Sequence, residues 1–318
     1  MAKYIIEECT DIKEWDDFAD KSPQGTIFSK SKFIDSIANN IKLIIKKGNE
    51  VAAAVHILLT DSGRPLIEQP FLQYSNSIMF RNNQKLLAHK QINEEFRITE
   101  LIINEILQLF DEFSIINTPS FTDIRPFLWH NFNNPEHGVF ANKINYTPIL
   151  DLANKNESDI IAEIRGCRRQ ELKKKEDFRI EESDDIALLD ELHTLTLKKH
   201  NKELGILEKE MLFKITKASL EFNYGRLMIG YYDDNPVSAT LFLHDSERGY
   251  YLFGANHPEF RNTGLSTKLM MNNILYFKKL ELKELDFIGA NSPHRGDYKV
   301  SFNCNIKPYY SSSIVLKK

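Results

Sequence analysis

The second half of the chain carries an order of apolar periods that few folds can satisfy. From Phe178 onward, FRIEES alternates as a strand. Two helical stretches follow, one opened by Asp184-Asp185 and running to about Asn201, the other spanning Lys209 to Phe222. RLMIGYYD and PVSATLFLHD then alternate as strands across the turn Asp234-Asn235, and a third strand runs through Tyr250 to Phe253. A helix from Ser266 to Leu280, the strand LKELDFIGAN and a short helix from Arg295 to Phe302 follow, and a last strand completes the order βααβββαβαβ. Alternating βα units beside a hairpin imply a mixed sheet covered by helices, in the α/β or α+β class.

Within that order, residues 248–302 are the most informative stretch. The aromatic run RGYYLFGANHPEF feeds Arg261-Asn262-Thr263-Gly264-Leu265-Ser266, which opens the helix. Backbone N–H groups at a helix N-terminus are unpaired and the macrodipole there favours an anion, so the turn suits a pyrophosphate. Gly264 lets backbone approach a ligand with no Cβ in the way. The same six residues would also suit an N-capped surface helix with Asn262 or Thr263 as cap.

The first half reads as a strand near Tyr4 to Glu8, helices near Ile12 to Ala19 and Lys30 to Asn39, and strands Lys42 to Lys47 and Val51 to Leu59, the strand pair turning at Gly48-Asn49. A long amphipathic segment, Gln84 to Phe110, predicts one helix or two. SIINTPSFTDIRPFLWHNF and NYTPILDL predict short strands around a polar, aromatic-rich loop. The second half is preceded by a basic helix from Ser158 to Lys175.

With 318 residues and 42% apolar content, about two domains are expected. The net charge is −4, the two halves differ little and neither is a polycation, so bulk nucleic-acid binding is not suggested. MAKYIIEECTDIKEWDD lacks a secretion signal, and the longest apolar stretch, around Val51 to Leu59, is too short to span a bilayer. Cys9, Cys167 and Cys304 are widely spaced and odd in number, which fits neither a metal site nor a disulfide framework and points to a cytoplasmic protein.

The turn Arg261 to Ser266 resembles motif A of the GNAT acyltransferases, R/Q-x-x-G-x-G/A, and the element order is that of a GNAT core. Further stretches resemble the Fem-like, tandem-GNAT acyltransferases, which include the peptidoglycan peptidyltransferases and their acyl-CoA-using relatives. GTIFSKSKFIDSI resembles the opening helix of their first domain, IEQPFLQYS its substrate-facing strand, and DIRPFLWHNF with YTPILDL the segment leading into domain two. IRGCRRQELKKKEDF and DYKVSFN resemble the basic helix and the F/Y-K-x-x-F-G ending of domain two, with Asn303 where a glycine is usual. The resemblance implies two tandem GNAT-like domains with mixed central sheets flanked by helices. Residues 1–150 would be the acceptor side with a degenerate donor site, and residues 151–318 would carry the acyl-CoA motif. Fem enzymes that use charged tRNA commonly insert a long charged hairpin in domain two, whereas Leu204 to Tyr224 leaves room for one ordinary helix. An acyl-CoA such as acetyl-CoA is therefore the expected donor and aminoacyl-tRNA the disfavoured one, while a GNAT-fold binding module without catalysis stays open.

On that mapping the thioester lies where the fourth and fifth strands of the core splay. Phe253, Gly254 and Ala255 would face it with Asn291 opposite, and the pyrophosphate would rest on Arg261, Asn262, Thr263, Gly264, Leu265 and Ser266. Tyr298 falls where the family often places the tyrosine that protonates the leaving thiolate, though it would equally anchor its helix to the sheet. Lys299 would stabilise the carbonyl oxygen by charge or stand as an exposed lysine. His257 and His294 are candidate bases or plain loop histidines. The acceptor, a small amine-bearing anion such as a nucleotide-sugar or cell-envelope precursor, would meet Gln69, Tyr74, Asp123, Arg125 and Trp129 in the cleft the family forms, together with Asn256. Arg168 and Arg169 of the basic helix would clamp its phosphate or carboxylate, unless that helix is a solvated face.

Overall fold

The computed structural model describes residues 3–83, 86–175, 177–198 and 203–316, with the backbone alone at 294 and 295. The chain divides into two compact units, Met1–Asn145 with Pro308–Lys318, and Tyr146–Lys307.

In the first unit, β1 (Tyr4–Glu8), α1 (Ile12–Lys21), α2 (Ser31–Ile37), β2 (Asn39–Lys47), β3 (Glu50–Leu59), β4 (Met79–Phe80), α3 (Ala88–Leu109), β5 (Glu112–Ile116) and α4 (Arg125–Trp129) follow in chain order. β6 (Ala141–Asp151) starts here and ends in the second unit. Strands β1 to β4 form an antiparallel sheet in sequence order. Asp11 caps α1, its carboxylate accepting from the N–H groups of Lys13 and Glu14. The long amphipathic segment is one helix from Ala88, the expected start at Gln84 lying outside the described residues. Its Ile98, Ile102 and Ile106, spaced at one helical turn, bury against Ile45, Val55, Phe113 and Phe121.

Two local expectations are overturned in this unit. DIRPFLWHNF forms the helix α4, because Pro126 sits in the first turn, where a missing N–H costs nothing, and Phe127 goes into the core. IEQPFLQYS forms no strand: past Pro70 the chain turns through Phe71, Tyr74 and Asn76 in the left-handed region, at φ 64°, 50° and 58°, which breaks any ladder.

The second unit continues with α5 (Glu157–Glu163), α6 (Gly166–Leu172), β7 (Phe178–Glu182), α7 (Ile186–Lys198), α8 (Ile206–Glu221), β8 (Gly225–Tyr232), β9 (Asn235–His244), β10 (Arg248–Asn256), α9 (Leu265–Lys279), β11 (Glu284–Asp286) and α10 (Pro293–Val300). The predicted end of α7 near Asn201 lies outside the described residues. β7, β8, β9, β10, β11 and the end of β6 are neighbours in that order, antiparallel throughout except for the parallel β10–β11 step. The helix expected over Ser158 to Lys175 is two helices, since Ile164 and Arg165 turn extended and the Arg165 N–H bonds the Ser301 carbonyl at 2.8 Å. Asn303, standing where the family ending has glycine, is left-handed at φ 62°, a conformation asparagine tolerates, and its amide donates to Glu163 Oε2 at 2.8 Å.

A last strand, β12 (Asn305–Val315), starts in the second unit, and its Ser311 to Val315 pair antiparallel with β5 of the first. Among the described residues, no helix is long and apolar enough to cross a membrane.

Candidate active site

The parting of two parallel strands builds the site. β10 pairs with β11 only from Arg248 to Tyr250, opposite Glu284 to Asp286, and then continues to Asn256 paired with β9 alone. Asp286 explains the parting. Its buried carboxylate accepts from the Thr147 hydroxyl and from the Ile288 N–H at 2.7 Å, while the Ala290 N–H bonds the Tyr146 carbonyl at 2.7 Å. These bonds hold the chain to β6 and away from β10. The turn passes through left-handed Ile288 and Gly289, at φ 49° and 72°. A β-branched residue in that region is an outlier, held there by its surroundings. Asn291, expected at the donor, accepts the Tyr146 N–H on its side-chain oxygen at 2.8 Å.

Lys299 secures the same turn from α10. Its ammonium donates to the carbonyls of Phe287, Ile288 and Gly289 at 2.6, 2.6 and 2.8 Å, and lies 5.4 Å from the centre of the Tyr251 ring. An ammonium has three N–H groups, and each has a carbonyl here.

On the β10 side, the register against β9 shifts between Tyr251 and Phe253, so Leu252 is an extra residue at a bulge. Phe253 and Ala255 are buried, with the Phe253 ring against His193. Tyr251 stacks on Phe242 at 4.9 Å and meets Phe287, past the end of β11, edge-on at 6.1 Å. Its hydroxyl lies over Gly254, only 1.7 Å from where a Cβ would stand, so residue 254 must be glycine for the phenol to rest there. The sequence places Tyr251 in the strand but shows nothing of its role. The bulge and the bare Gly254 that aim it arise from pairing.

Asn256 and His257 end the strand. The Asn256 side-chain oxygen accepts from Ser266 and from Ser238, the latter at 2.6 Å, and its backbone N–H bonds the Thr196 hydroxyl at 2.8 Å. Asn256 thereby ties β10 to the first turn of α9 and to α7. His257 caps a single 3₁₀ turn, Pro258–Phe260, its Nδ1 accepting from the Glu259 N–H at 3.4 Å, with Phe260 against its ring. The side chain of His294 lies outside the described residues.

The turn that follows is cationic. Gly264 is left-handed at φ 90° and caps α9, a conformation open to glycine at no cost. Thr263 accepts the Leu265 N–H at 3.4 Å. The Lys174 ammonium reaches the Asn262 carbonyl at 2.5 Å, and Lys268 reaches the Lys174 carbonyl at 2.8 Å. Arg261 is half-buried and has no ion pair among the described residues. α6 packs against the first turn of α9. Glu171 Oε2 accepts from Arg168 Nη1 at 2.7 Å and from the Thr267 hydroxyl at 2.5 Å, and its Cβ would stand 3.0 Å from a Cβ at residue 264. Arg168 also lies over the Tyr298 ring at 5.1 Å.

The two arginines of the basic helix part company. Arg169 donates to the carbonyls of Ala162 and Ile164 at 2.6 and 2.5 Å, satisfying the C-terminal end of α5, while Arg168 joins the α9 turn. Tyr298 also reaches that turn, its hydroxyl donating to the Ser266 carbonyl at 3.2 Å. Burial pushes its phenol well above the ordinary tyrosine value.

In the first unit, Asp123 and Arg125 form a two-bond pair at 2.8 and 2.6 Å, which holds the Asp123 carboxyl below its ordinary value. The Arg125 guanidinium lies over the rings of Phe96 and Trp129 at 5.3 and 5.4 Å. Gln69 bonds Ser75 and the Leu66 carbonyl. Tyr74 is buried, with Phe28 and Tyr309 edge-on to its ring.

Residues 158–300 are matched by the family model of the acetyltransferase (GNAT) domain. Among solved structures, FemX has a TM-score of 0.69 at 11% identity, covering 97% of this chain and 96% of its own. A protein of unknown function from Bacteroides thetaiotaomicron follows at 0.60 and 11%, covering 98% and 100%. A tandem GNAT protein from the clavulanic acid biosynthesis pathway, in a structure without AcCoA, reaches 0.56 at 10%, covering 99% and 98%. No curated protein matches. The stretch 158–300 thus matches the GNAT acetyltransferase domain, and the chain as a whole shares the fold of FemX and of the tandem GNAT protein.

Proposed function

We propose that this chain is an N-acyltransferase that moves an acyl group from acyl-CoA, in the cytoplasm, to an amine of a small anionic acceptor such as a nucleotide-sugar or envelope precursor. The observation that carries this reading is the joining of two features on one strand. β10 parts from β11 beside a bulge at Leu252, and it then runs directly into a glycine-capped helix start flanked by Arg261, Lys174 and Lys268. The open strand edge offers backbone N–H and C=O groups to a pantetheine amide, and the helix start offers N–H groups and positive charge to a pyrophosphate.

Transfer then needs an amine without its extra proton, a polarised carbonyl and a proton for the departing thiolate. We assign the last role to Tyr251, whose phenol lies in the gap between the strands with the Lys299 ammonium beside its ring. Tyr298, the family's usual choice, gives its proton to Ser266, and burial makes it a weak acid, so its hydroxyl serves to hold the α9 turn. Lys299 keeps Phe287 to Gly289 turned away from β10 and thereby keeps the gap open. Arg169 supports α5, which leaves Arg125 on its aromatic shelf with Trp129 as the leading group for an anionic acceptor. His257 stays next in line as base.

An aminoacyl-tRNA donor is the second reading, favoured by one feature: the Glu171 carboxylate at the α9 turn repels a pyrophosphate. Calorimetry separates the two. Acetyl-CoA should bind the intact chain with a dissociation constant below about 1 mM, equivalent to about 4 kcal/mol. Absence of heat with acetyl-CoA and with longer acyl-CoAs at that concentration would remove the acyl-CoA reading.

A further inference from the structure

The α9 turn already holds an anion of the protein's own. Glu171 comes from α6, outside the β10–turn–α9 segment, yet its carboxylate lies against the first turn of α9 and bonds Thr267 there. Gly264 is buried under it, with the Glu171 carbonyl 3.1 Å and its Cβ 3.0 Å from where a Cβ at 264 would stand. Arg168 holds the carboxylate through Nη1 alone. Its Nη1 is shared with Thr267 at 3.2 Å, while its Nε is buried and has no hydrogen-bond partner. A guanidinium is built to present two parallel N–H groups to one oxyanion, so a single shared contact leaves this arginine half used. A buried N–H without an acceptor costs roughly as much as a lost hydrogen bond.

We propose that Glu171 is a resident counter-ion of the donor cradle and determines how selectively that cradle takes phosphate. This deepens the acyl-CoA reading and rests on it. With no donor bound, the carboxylate neutralises Arg168 and occupies the charge-favouring end of α9. An entering phosphate competes with it, takes Arg168 through Nε and a terminal nitrogen together, and leaves the carboxylate with Thr267. No bond is made or broken covalently and no proton moves; one ion pair is exchanged for another. A singly charged ligand gains little from such an exchange, whereas a pyrophosphate carries charge enough to outcompete one carboxylate. Glu171 thereby sets a threshold that favours donors with clustered phosphates over stray anions.

The test is a titration of the full chain with coenzyme A and, separately, with pantetheine, which has the same arm and no phosphate. Glu171→Gln keeps the shape and the Thr267 contact while removing the charge. It should tighten coenzyme A about 5- to 20-fold and leave pantetheine unchanged, the size expected for one nearby like charge at a half-buried site. Thr267→Val, which frees the carboxylate from its hydroxyl anchor without unbalancing charge, should tighten coenzyme A about twofold and guards against a folding defect in the first variant. Coenzyme A affinity that is unchanged or weaker in both variants, with melting temperatures kept, overturns the counter-ion role alone. Failure of wild type and both variants to bind coenzyme A overturns the donor reading on which it stands.

Discussion

Each unit contains a strand that leads through a turn into a long helix, and the two differ at every point that matters to a donor. In the second unit β10 is nine residues long, Gly264 caps the helix in the left-handed region, and lysines reach the turn. In the first unit β4 is two residues long, and α3 starts at exposed Leu87 with no side-chain cap and no acidic or basic complement in its terminal turns. Among the described residues, the non-glycine left-handed positions of the first unit, Phe71, Tyr74, Asn76 and Asn131, lie elsewhere, with Tyr74 and Asn76 buried. One architecture therefore carries a glycine-capped helix start reached by lysines in one unit and a helix start without a side-chain cap in the other. What separates them is a glycine, a few cations and the length of one strand.

The largest effect expected from erasing that difference is on turnover. Phe80 of β4 stacks on Phe121 with no hydroxyl, and Tyr251→Phe makes β10 like it. Loss of a positioned proton donor should lower turnover about 10²- to 10⁴-fold with coenzyme A affinity kept, whereas Tyr298→Phe should cost less than about tenfold. The reverse order, in steady-state kinetics with a confirmed acceptor, would return the role to Tyr298.

Next in size is Gly264→Val. A branched residue at φ 90° facing Glu171 should cost about 2–4 kcal/mol and abolish coenzyme A binding. Its counterpart Leu87→Val, at the other helix start, should change neither. Thermal melting with a coenzyme A titration checks both, and equal effects at the two starts would break the comparison.

Lys299→Met should cost about 2–4 kcal/mol by leaving carbonyls of residues 287–289 without donors, and should lower turnover only as far as the gap closes. A variant with wild-type melting and much reduced turnover would instead put the ammonium on the reacting carbonyl.

The smallest effect concerns acid. His56, fully buried in the first unit, accepts the Asn76 N–H on Nε2, and burial pulls its pKa from 6.5 to about 3. The unfolded chain binds a proton there that the folded one does not, so this stabilisation is full above about pH 6.5 and falls toward pH 3, by up to about 1.4 kcal/mol per pH unit. Both tryptophans, Trp15 and Trp129, belong to the first unit, and Trp15 lies edge-on to His56. Their fluorescence should report acid unfolding of this unit, and His56→Gln should flatten its pH slope between those values.

What could be read in advance was local. The order β7, α7, α8, β8, β9, β10, α9, β11, α10, β12 follows from apolar periods and turn residues, each set by neighbours a few positions away. Gly264 was legible for the same reason, because a left-handed cap asks for glycine wherever it occurs. α4 lies in a stretch that the sequence reads as short strands around an aromatic-rich loop, and Pro126 in its first turn is the local signal for a helix start there. The break at Ile164 was hidden because it depends on Ser301, far along the chain.

The sequence by itself determined the class of fold, the place of the glycine turn that opens α9 and the small set of polar residues near it. Only tertiary structure decided what each of them does. Arg168 and Arg169 are adjacent and chemically alike, yet one meets the α9 turn and the other the end of α5. Lys299 looks like a free charge until residues 287–289 turn their carbonyls toward it. Tyr251 looks like one aromatic among several until a bulge and a bare glycine aim its hydroxyl. The physical reason is range. Backbone propensity acts over a few residues, but the partner that fixes a side chain's charge, proton or direction is supplied by segments distant in sequence that only packing brings within 3 Å.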